Sequence, residues 1–397
     1  MLSRKAFHIT PSPTLSIDAQ AKRMKSEGKD IIGFGAGEPD FDTPAHIKDA
    51  AIKAINNNFT RYTPASGIPE LKEAIVEKYI KESGLTYTPG QIVVSNGAKH
   101  SLNNVLAALL NDGDEVIIPS PYWVSYPELV KLNGGTPVIV DTKQEYNYKL
   151  KGPELEKNLS PRTKALILNS PSNPTGQVYT RNELEVIAYL AVRYNFYIIS
   201  DEVYEKLIYD GKEHITIASL GEDIQDLTII VNGVSKTYAM TGWRIGYTAS
   251  EPELAAVMAG IQSHTTSNPN SIAQKAAYAA LSGPQECVEE MRKAFEKRKN
   301  YMVDLIKEIP LINCIDPKGA FYLFLNIGET FNKKFRGIPV ENSNKFASLL
   351  LENYLVALVP GEAFGASDYV RVSYATSMEN ISNGLERINS FLQELIE

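Results

Sequence analysis

Seven short apolar segments constrain the fold of this chain more than any other feature of its sequence. None of them alternates polar with apolar residues, which is the pattern of strands buried on both faces. Stretches with apolar residues at the three-to-four spacing of a helix run between several of them. This alternation predicts an α/β fold, with a mostly parallel seven-stranded sheet and helices on both of its faces. The segments are IVV at 92–94, EVIIP at 115–119, TPVIV at 136–140, ALIL at 165–168, FYIIS at 196–200, TIIV at 228–231 and RIGYT at 244–248.

The distribution of proline, glycine and charged residues divides the chain into three parts. Residues 1–45 contain PSPT and GFGAGEPDFDTP, which predict an irregular arm that packs with a smaller domain. Residues 46–285 hold the apolar segments and form the expected large domain. After residue 285, a long charged helical stretch precedes further strand-like segments. Residues 286–397 are therefore predicted to form the smaller α+β domain.

Charge and cysteine content exclude several classes of protein. A net charge of −7 argues against nucleic acid or an anionic membrane as the main partner. The two cysteines, Cys287 and Cys314, lack the spacing of a disulfide framework or a zinc site. The N-terminal segment has no apolar core of a secretory signal, and no apolar run is long enough to span a bilayer. We therefore expect a cytoplasmic protein.

Polar and aromatic residues follow five of the predicted strands at their carboxyl ends, where ligands collect in open α/β sheets. The five segments are SNGAK, SPYWVSY, NSPSNPTG, DEVY and NGVSK. Each residue alone has an ordinary structural explanation, such as a turn, a helix cap or core packing. Together they predict one ligand site. The residues it would contain are Gly97, Ala98, Trp123, Asn173, Asp201, Tyr204, Ser235 and Lys236.

These residue types suit a phosphorylated aromatic aldehyde. A lysine in an apolar pocket becomes a usable amine, because burial destabilises its ammonium form. A carboxylate such as Asp201 keeps a pyridine nitrogen protonated, which is the usual arrangement around pyridoxal phosphate (PLP). The indole of Trp123 offers a face for the flat ring.

Longer motifs carry a resemblance to a known family. The chain resembles the class I PLP-dependent aminotransferases of fold type I, and within them the aspartate aminotransferases of subgroup Ib. The resemblance covers nearly the whole chain, and the spacing of SK and GWRIGY is its most specific part. The matching segments are AGEPDFDTP, RYTPASGIPELKEA, NSPSNPTG, SDEVYEKL, SKTYAMTGWRIGY, GAFY and VRVSYATS.

The resemblance implies a role for each residue of the cofactor site. Lys236 corresponds to the catalytic Schiff-base lysine, and Asp201 to the partner of the ring nitrogen. Tyr204 and Asn173 correspond to the groups that hydrogen-bond the ring oxygen, and Trp123 to the aromatic plate. The phosphate-binding residues would be Ser235, Arg244, Gly97 and Ala98, together with Tyr62 reaching in from a second subunit, which implies a homodimer.

The resemblance also implies how substrates bind. Arg371 corresponds to the arginine that holds the α-carboxylate, and a guanidinium fits a carboxylate with two parallel hydrogen bonds. Gly37 corresponds to a glycine whose backbone lies against the substrate, beside Trp123 and Asn173. Lys99, Ser12 and Thr14 correspond to groups that face a distal carboxylate; alternatively, Lys99 is only a cation near the phosphate.

The expected activity is amino-group transfer between L-aspartate and 2-oxoglutarate, giving oxaloacetate and L-glutamate. An aromatic or broad-specificity enzyme, including one that accepts prephenate, is the alternative within the family. A PLP-dependent lyase or synthase of the same fold and a non-catalytic PLP-sensing module are further alternatives.

Overall fold

A computed structural model describes residue 9 and residues 13–396, without the side chains of residues 13–16 and 18. The strands are β1 Ile32–Gly33, β2 Ile92–Ser95, β3 Glu115–Ser120, β4 Thr136–Asp141, β5 Thr163–Asn169, β6 Tyr197–Asp201, β7 Thr228–Gly233, β8 Gly246–Ala249, β9 Asn313–Cys314, β10 Tyr322–Asn326, β11 Lys334–Phe335, β12 Ile338–Pro339, β13 Val356–Ala357, β14 Val359–Pro360, β15 Tyr369–Ser373 and β16 Leu395–Ile396. The α-helices are α1 Pro13–Ser26, α2 Ala45–Asn56, α3 Pro69–Ser83, α4 Ala98–Leu109, α5 Ser125–Leu132, α6 Gly152–Lys157, α7 Arg181–Tyr194, α8 Glu222–Asp226, α9 Pro252–Thr265, α10 Ser271–Ser282, α11 Glu286–Lys307, α12 Ser343–Tyr354 and α13 Met378–Gln393.

The predicted seven-stranded sheet is confirmed, in the order β2-β8-β7-β6-β5-β3-β4. Six of these seven strands run in the same direction, and β8 runs in the opposite direction. The register pairs Asn169 with Asp201 and Asp201 with Val231. The carboxyl ends of β5, β6 and β7 therefore lie side by side, and the segments that follow them meet at one edge.

Neighbouring strand residues face opposite layers of helices. Val116 and Ile118 pack in a cluster with residues of α4, α5 and α9. Ile117, between them, packs with residues of α6 and α7. Because side chains alternate along a strand, both faces of the sheet are covered, and this explains why the strands lack polar alternation.

Two strands differ from the prediction in their details. The last strand begins at Gly246 instead of residue 244, because Arg244 has a φ of +58° and ends a short 3₁₀ turn over Thr241–Trp243. Strand β4 is not buried on both faces: it is an edge strand, and Ile139 is 40% exposed. Its apolar sequence resembles that of the central strands, so the sequence pattern does not distinguish this edge strand from a central strand.

A second, antiparallel sheet in the order β14-β15-β10-β9 lies in the C-terminal part of the chain, packed with α11, α12 and α13. The N-terminal strand β1 pairs with β13, so the arm contacts this part. The boundaries at residues 45 and 285 remain predictions. Among the helices of the described residues, none has the length and apolar character needed to cross a membrane.

Candidate active site

A cavity of about 460 Å³ opens at the carboxyl ends of β5, β6 and β7. Its lining comes from both sheets and from the segment before α2, so residues distant in sequence meet there. The sequence-predicted residues in its lining are Gly37, Ala98, Lys99, Trp123, Asn173, Asp201, Tyr204, Ser235, Lys236, Arg244 and Arg371.

Lys236 follows β7 and projects into the cavity. Its Nζ donates a hydrogen bond to the Gly37 carbonyl at 2.5 Å. Burial lowers the pKa of Lys236 to about 8, although the Glu38 carboxylate acts in the opposite direction. About half of such amines are neutral at pH 8, whereas an ordinary lysine is almost entirely charged there. Lys236 can therefore act as a nucleophile or base near neutral pH.

Asp201 ends β6 and is only 4% exposed. Burial raises its pKa to about 6, and a hydrogen bond from the Tyr126 hydroxyl at 2.6 Å acts against that rise. The carboxyl group is thus mostly ionised above pH 7. An ionised carboxylate in a buried position favours a ligand group that carries a proton, such as a pyridinium nitrogen.

Gly97 and Arg244 form a corner suited to a phosphate. Gly97 has a φ of +86° and immediately precedes α4. A Cβ at this position would lie 2.2 Å from the Arg244 Nη2 atom, so a larger residue would displace the guanidinium from this place, and the positive φ also favours glycine. The first N–H groups of a helix lack intrahelical partners and attract anions. Ala98 and Ser235 line the cavity beside this corner.

Arg371 in β15 is a buried cation, 2% exposed. Nη1 donates to Asn173 Oδ1 at 3.0 Å, and Nη2 donates to the Gly35 carbonyl at 2.9 Å. Within the described part of the chain, Nε has no hydrogen-bond partner and no carboxylate pairs with the guanidinium. A buried charge is costly without a counter-ion, so this geometry favours binding of a carboxylate.

Tyr322 and Glu38 are among the lining residues that sequence reasoning missed. Tyr322 hydrogen-bonds to Tyr204 with 3.0 Å between the hydroxyl oxygens, and its ring centroid lies 4.2 Å from the Arg371 guanidinium. Glu38 accepts a hydrogen bond from the Thr241 hydroxyl at 2.7 Å. Both lie in motifs that carry the resemblance, GAFY and AGEPD, and that position was the available signal.

Lys99 and Trp123 lie together in the lining of the cavity. The Lys99 Nζ is 4.9 Å from the centroid of the Trp123 ring. Burial and the nearby Arg244 both lower the pKa of Lys99. This position is compatible with either alternative for Lys99, the distal carboxylate or the phosphate.

Five predicted residues either lie outside the lining of the cavity or have a predicted role that the structure does not test. Gly97 contacts Arg244 without lining the cavity, and Tyr62 is 91% exposed. A Cβ on Gly37 would meet Tyr322 at 3.6 Å, an ordinary contact, so the protein itself does not exclude a side chain there. Thr14 belongs to α1, whereas Ser12 lies outside the described residues.

Behind Asp201, a buried ionic network joins the end of β6 to α3. Glu202 accepts hydrogen bonds from Ser200, Thr216 and His214, the last at 2.8 Å. Glu205 pairs with Lys78 at 2.8 Å. Glu202, Glu205 and His214 are close enough to hold a metal ion, but the Lys78 ammonium already supplies a cation to this group.

His214 is expected to stabilise the fold most at mildly acidic pH. Burial alone would lower its pKa, but the Glu202 carboxylate outweighs burial and raises it. Stability from the charged pair is therefore complete below the unfolded pKa of about 6.5 and is lost as pH rises through the folded value. His214→Gln should lower the free energy of unfolding by about 1–3 kcal/mol near pH 5.5, and by less at pH 9.

Denaturant titrations of both proteins at several pH values check this prediction. His264→Gln, on the exposed surface of α9, is the matched control and should have little effect at either pH. An equal loss at pH 5.5 and pH 9 for His214→Gln would contradict the charged pair.

Comparisons with known proteins agree in sequence and in backbone. The family model for class I and II aminotransferases matches residues 29–388. An aspartate aminotransferase of Geobacillus stearothermophilus is 50% identical over 392 residues, 99% of each chain. An aspartate/prephenate aminotransferase of Nitrosomonas europaea is 46% identical over 394 residues, covering 98% of this chain and 99% of the relative.

A solved structure extends the agreement to the fold. The aspartate aminotransferase of Rhizobium meliloti is 42% identical to this chain and has a TM-score of 0.96, with 100% of both chains covered. Similarity of this extent, over the full length of each relative, means that the chain belongs to the class I and II aminotransferase family.

Proposed function

We propose that this protein is a PLP-dependent aminotransferase that exchanges the amino group between L-aspartate and 2-oxoglutarate. The observation that carries the proposal is the convergence of three groups in one cavity: the Lys236 amine, the buried Asp201 carboxylate and the buried Arg371 guanidinium. Relatives that are aspartate aminotransferases, one of them 50% identical, support the choice of substrate.

The residues of the cavity fit PLP. Its volume of about 460 Å³ lies in the range of small-molecule sites, roughly 300–1,000 Å³. Arg244, Ser235 and the start of α4 would hold the phosphate, Asp201 the ring nitrogen, and Trp123 the ring face. The amide nitrogen of Asn173 is available to a ring oxygen, because its Oδ1 is occupied by Arg371.

When bound, PLP supplies an electron-accepting ring and an aldehyde that reacts with amines. Lys236 is the residue that would hold the aldehyde. Its amine, when free and neutral, would act as the base that takes the proton from the substrate α-carbon and then as the acid that returns it. General acid–base catalysis of this kind is worth about 10²–10⁴-fold. Asp201 retains the ring-nitrogen proton, and Tyr204 donates to the ring oxygen.

Substrate orientation is assigned to a second group of residues. Arg371 binds the α-carboxylate, and the backbone of Gly37 lies against the substrate. Lys99 faces the distal carboxylate, with Ser12 and Thr14 on the N-terminal arm. Lys22 of α1 also lines the cavity.

We further propose a homodimer in which Tyr62 of each subunit reaches the phosphate of the other. The support is its exposure of 91%, which is unusual for a tyrosine and suits a residue that acts on a second chain.

Two measurements on the holoprotein test the proposed function. Borohydride reduction followed by peptide mapping should attach the cofactor to the peptide that contains Lys236. Single-turnover mixing with each of the twenty amino acids should change the visible absorption fastest with aspartate and glutamate. Absence of a visible chromophore, or a label on a different peptide, would remove the proposal.

Prephenate is the alternative acceptor, favoured by the 46% identical Nitrosomonas europaea relative that is an aspartate/prephenate aminotransferase. Including prephenate and phenylpyruvate as amino acceptors separates a narrow enzyme from a broad one. Release of ammonia or of a side-chain fragment, without amino transfer, would indicate a lyase or synthase instead.

Substitution of Lys99 tests the distal-carboxylate assignment. Lys99→Met should raise the KM for aspartate and 2-oxoglutarate about two- to fivefold, the value of one partly exposed charge contact. Kinetics with alanine, which lacks the second carboxylate, should hardly change and serve as the internal control. Weaker PLP binding with unchanged preference for aspartate would instead assign Lys99 to the phosphate.

A further inference from the structure

The Tyr126 hydroxyl lies 2.6 Å from Asp201 Oδ2. A separation of about 2.5–2.7 Å is typical of a hydroxyl that donates to an ionised carboxylate. The backbone N–H of Val203 also donates to this carboxylate, with a longer distance of 3.4 Å between its nitrogen and Asp201 Oδ1. Among the described residues, Tyr126 therefore makes the strongest contact with the Asp201 side chain.

Tyr126 is itself held firmly. It lies in the first turn of α5 and is 3% exposed. Its ring packs edge-on against Trp123, with 5.3 Å between centroids and an interplanar angle of 81°. Burial, followed by the nearby Asp201 charge, raises the pKa of the phenol well above its ordinary value. The hydroxyl thus stays protonated and can act only as a donor to the ionised carboxylate.

We propose that Tyr126 is a positioning residue that keeps Asp201 ionised and oriented toward the cofactor ring, an inference that rests on the proposed function. Tyr126 would act through Asp201, because the proposed partner of the ring nitrogen is the Asp201 carboxylate. The same residue touches the aromatic plate, so α5 aligns two of the groups assigned to the cofactor. Substrate contacts belong to Arg371 and Lys99, on other elements.

Removing the hydroxyl alone tests the inference, because Tyr126→Phe keeps the ring that packs on Trp123. Without the Tyr126 hydroxyl, one hydrogen bond that stabilises the ionised Asp201 carboxylate is lost while the carboxylate stays buried. The pKa of Asp201 should therefore rise by about one unit or more. A protonated Asp201 cannot retain the ring-nitrogen proton. The kcat for aspartate should fall roughly tenfold to a hundredfold, with KM nearly unchanged and the acidic limb of the pH profile displaced upward.

The first readout does not depend on activity: the Asp201 carboxyl carbon is titrated by NMR in aspartate-labelled apoprotein, with Asp201→Asn identifying its signal. Tyr79→Phe is the matched control, because the Tyr79 hydroxyl is buried without a hydrogen-bond partner among the described residues. It should change neither the titration nor kcat. The effect of Tyr126→Phe should also disappear in the Asp201→Asn background, as expected for residues that act through one another.

An unchanged Asp201 titration in Tyr126→Phe would overturn the inference, and so would a loss confined to KM. The two proposals fail separately. If Asp201 titrates as expected but no amino acid alters the bound chromophore, the contact with Tyr126 stands and the proposed aminotransferase activity falls.

Discussion

Lys236→Ala is expected to abolish turnover, with kcat reduced by about 10⁴-fold, the upper end of the effect typical of a general acid–base group. In the proposed mechanism the Lys236 Nζ atom would both hold the cofactor and move the proton, and among the described residues no other amine donates a hydrogen bond to the Gly37 carbonyl. Steady-state assay of oxaloacetate formation from aspartate measures the loss. Borohydride should no longer attach the cofactor to this peptide.

Lys236→Arg distinguishes the positive charge of this side chain from its ability to give up a proton. An arginine preserves a cation near Glu38 but does not give up its proton near neutral pH, so it should be nearly as inactive as alanine. Lys212→Ala, on the exposed loop before His214, is the control and should retain full activity. A kcat within tenfold of the native value in Lys236→Ala would contradict the assigned role.

Arg371→Lys is expected to raise the KM for aspartate by roughly tenfold to a hundredfold, while kcat falls much less. Lysine retains the charge but loses the paired N–H groups that fit a carboxylate, and hydrogen bonds to charged groups are worth about 1.5–3 kcal/mol. Such a change removes binding that ground state and transition state share. Steady-state kinetics with varied aspartate measure it.

Ligand-dependent stability gives an independent test of the same assignment. Maleate, a dicarboxylate that cannot react, should raise the thermal midpoint of the native holoprotein, since a ligand at 100 times its Kd stabilises by about 2.7 kcal/mol. The rise should be much smaller in Arg371→Lys. Arg336→Lys, whose side chain is 62% exposed, is the control. An unchanged KM and an unchanged maleate effect would remove Arg371 from the α-carboxylate.

Much of the large sheet could be predicted because burial leaves a local record. Strands β6 and β7 and the middle of β5 are almost wholly buried and contain continuous apolar runs. Strand β4 contains a similar run and is nevertheless an exposed edge, since local composition does not specify a strand's neighbours. The start of β8 was misplaced because Arg244 adopts a left-handed conformation that its residue type does not signal.

The candidate site divides in the same manner. Residues that end or follow β5, β6 and β7 were predictable as a group, because parallel strands bring their carboxyl ends to one edge. Tyr126 lies within SPYWVSY, but no local feature of the sequence indicates that its hydroxyl reaches Asp201, 75 residues away. Arg371 was assigned through resemblance alone.

By itself, the amino-acid sequence was sufficient for the α/β class and for the grouping of Lys236 with Asp201, and it was the basis for proposing a cofactor with an aldehyde and a phosphate. Apolar periodicity and the residues after each strand are short-range properties, and the sheet geometry converts them into a site. Only tertiary packing decided that Arg371 is buried against Asn173 and Gly35, which are 198 and 336 residues away. The hydrogen bond from Tyr126 to Asp201 was decided in the same way. Such contacts depend on how separate elements pack. The packing fixes the geometry of the buried groups, and the exclusion of water shifts their pKa values.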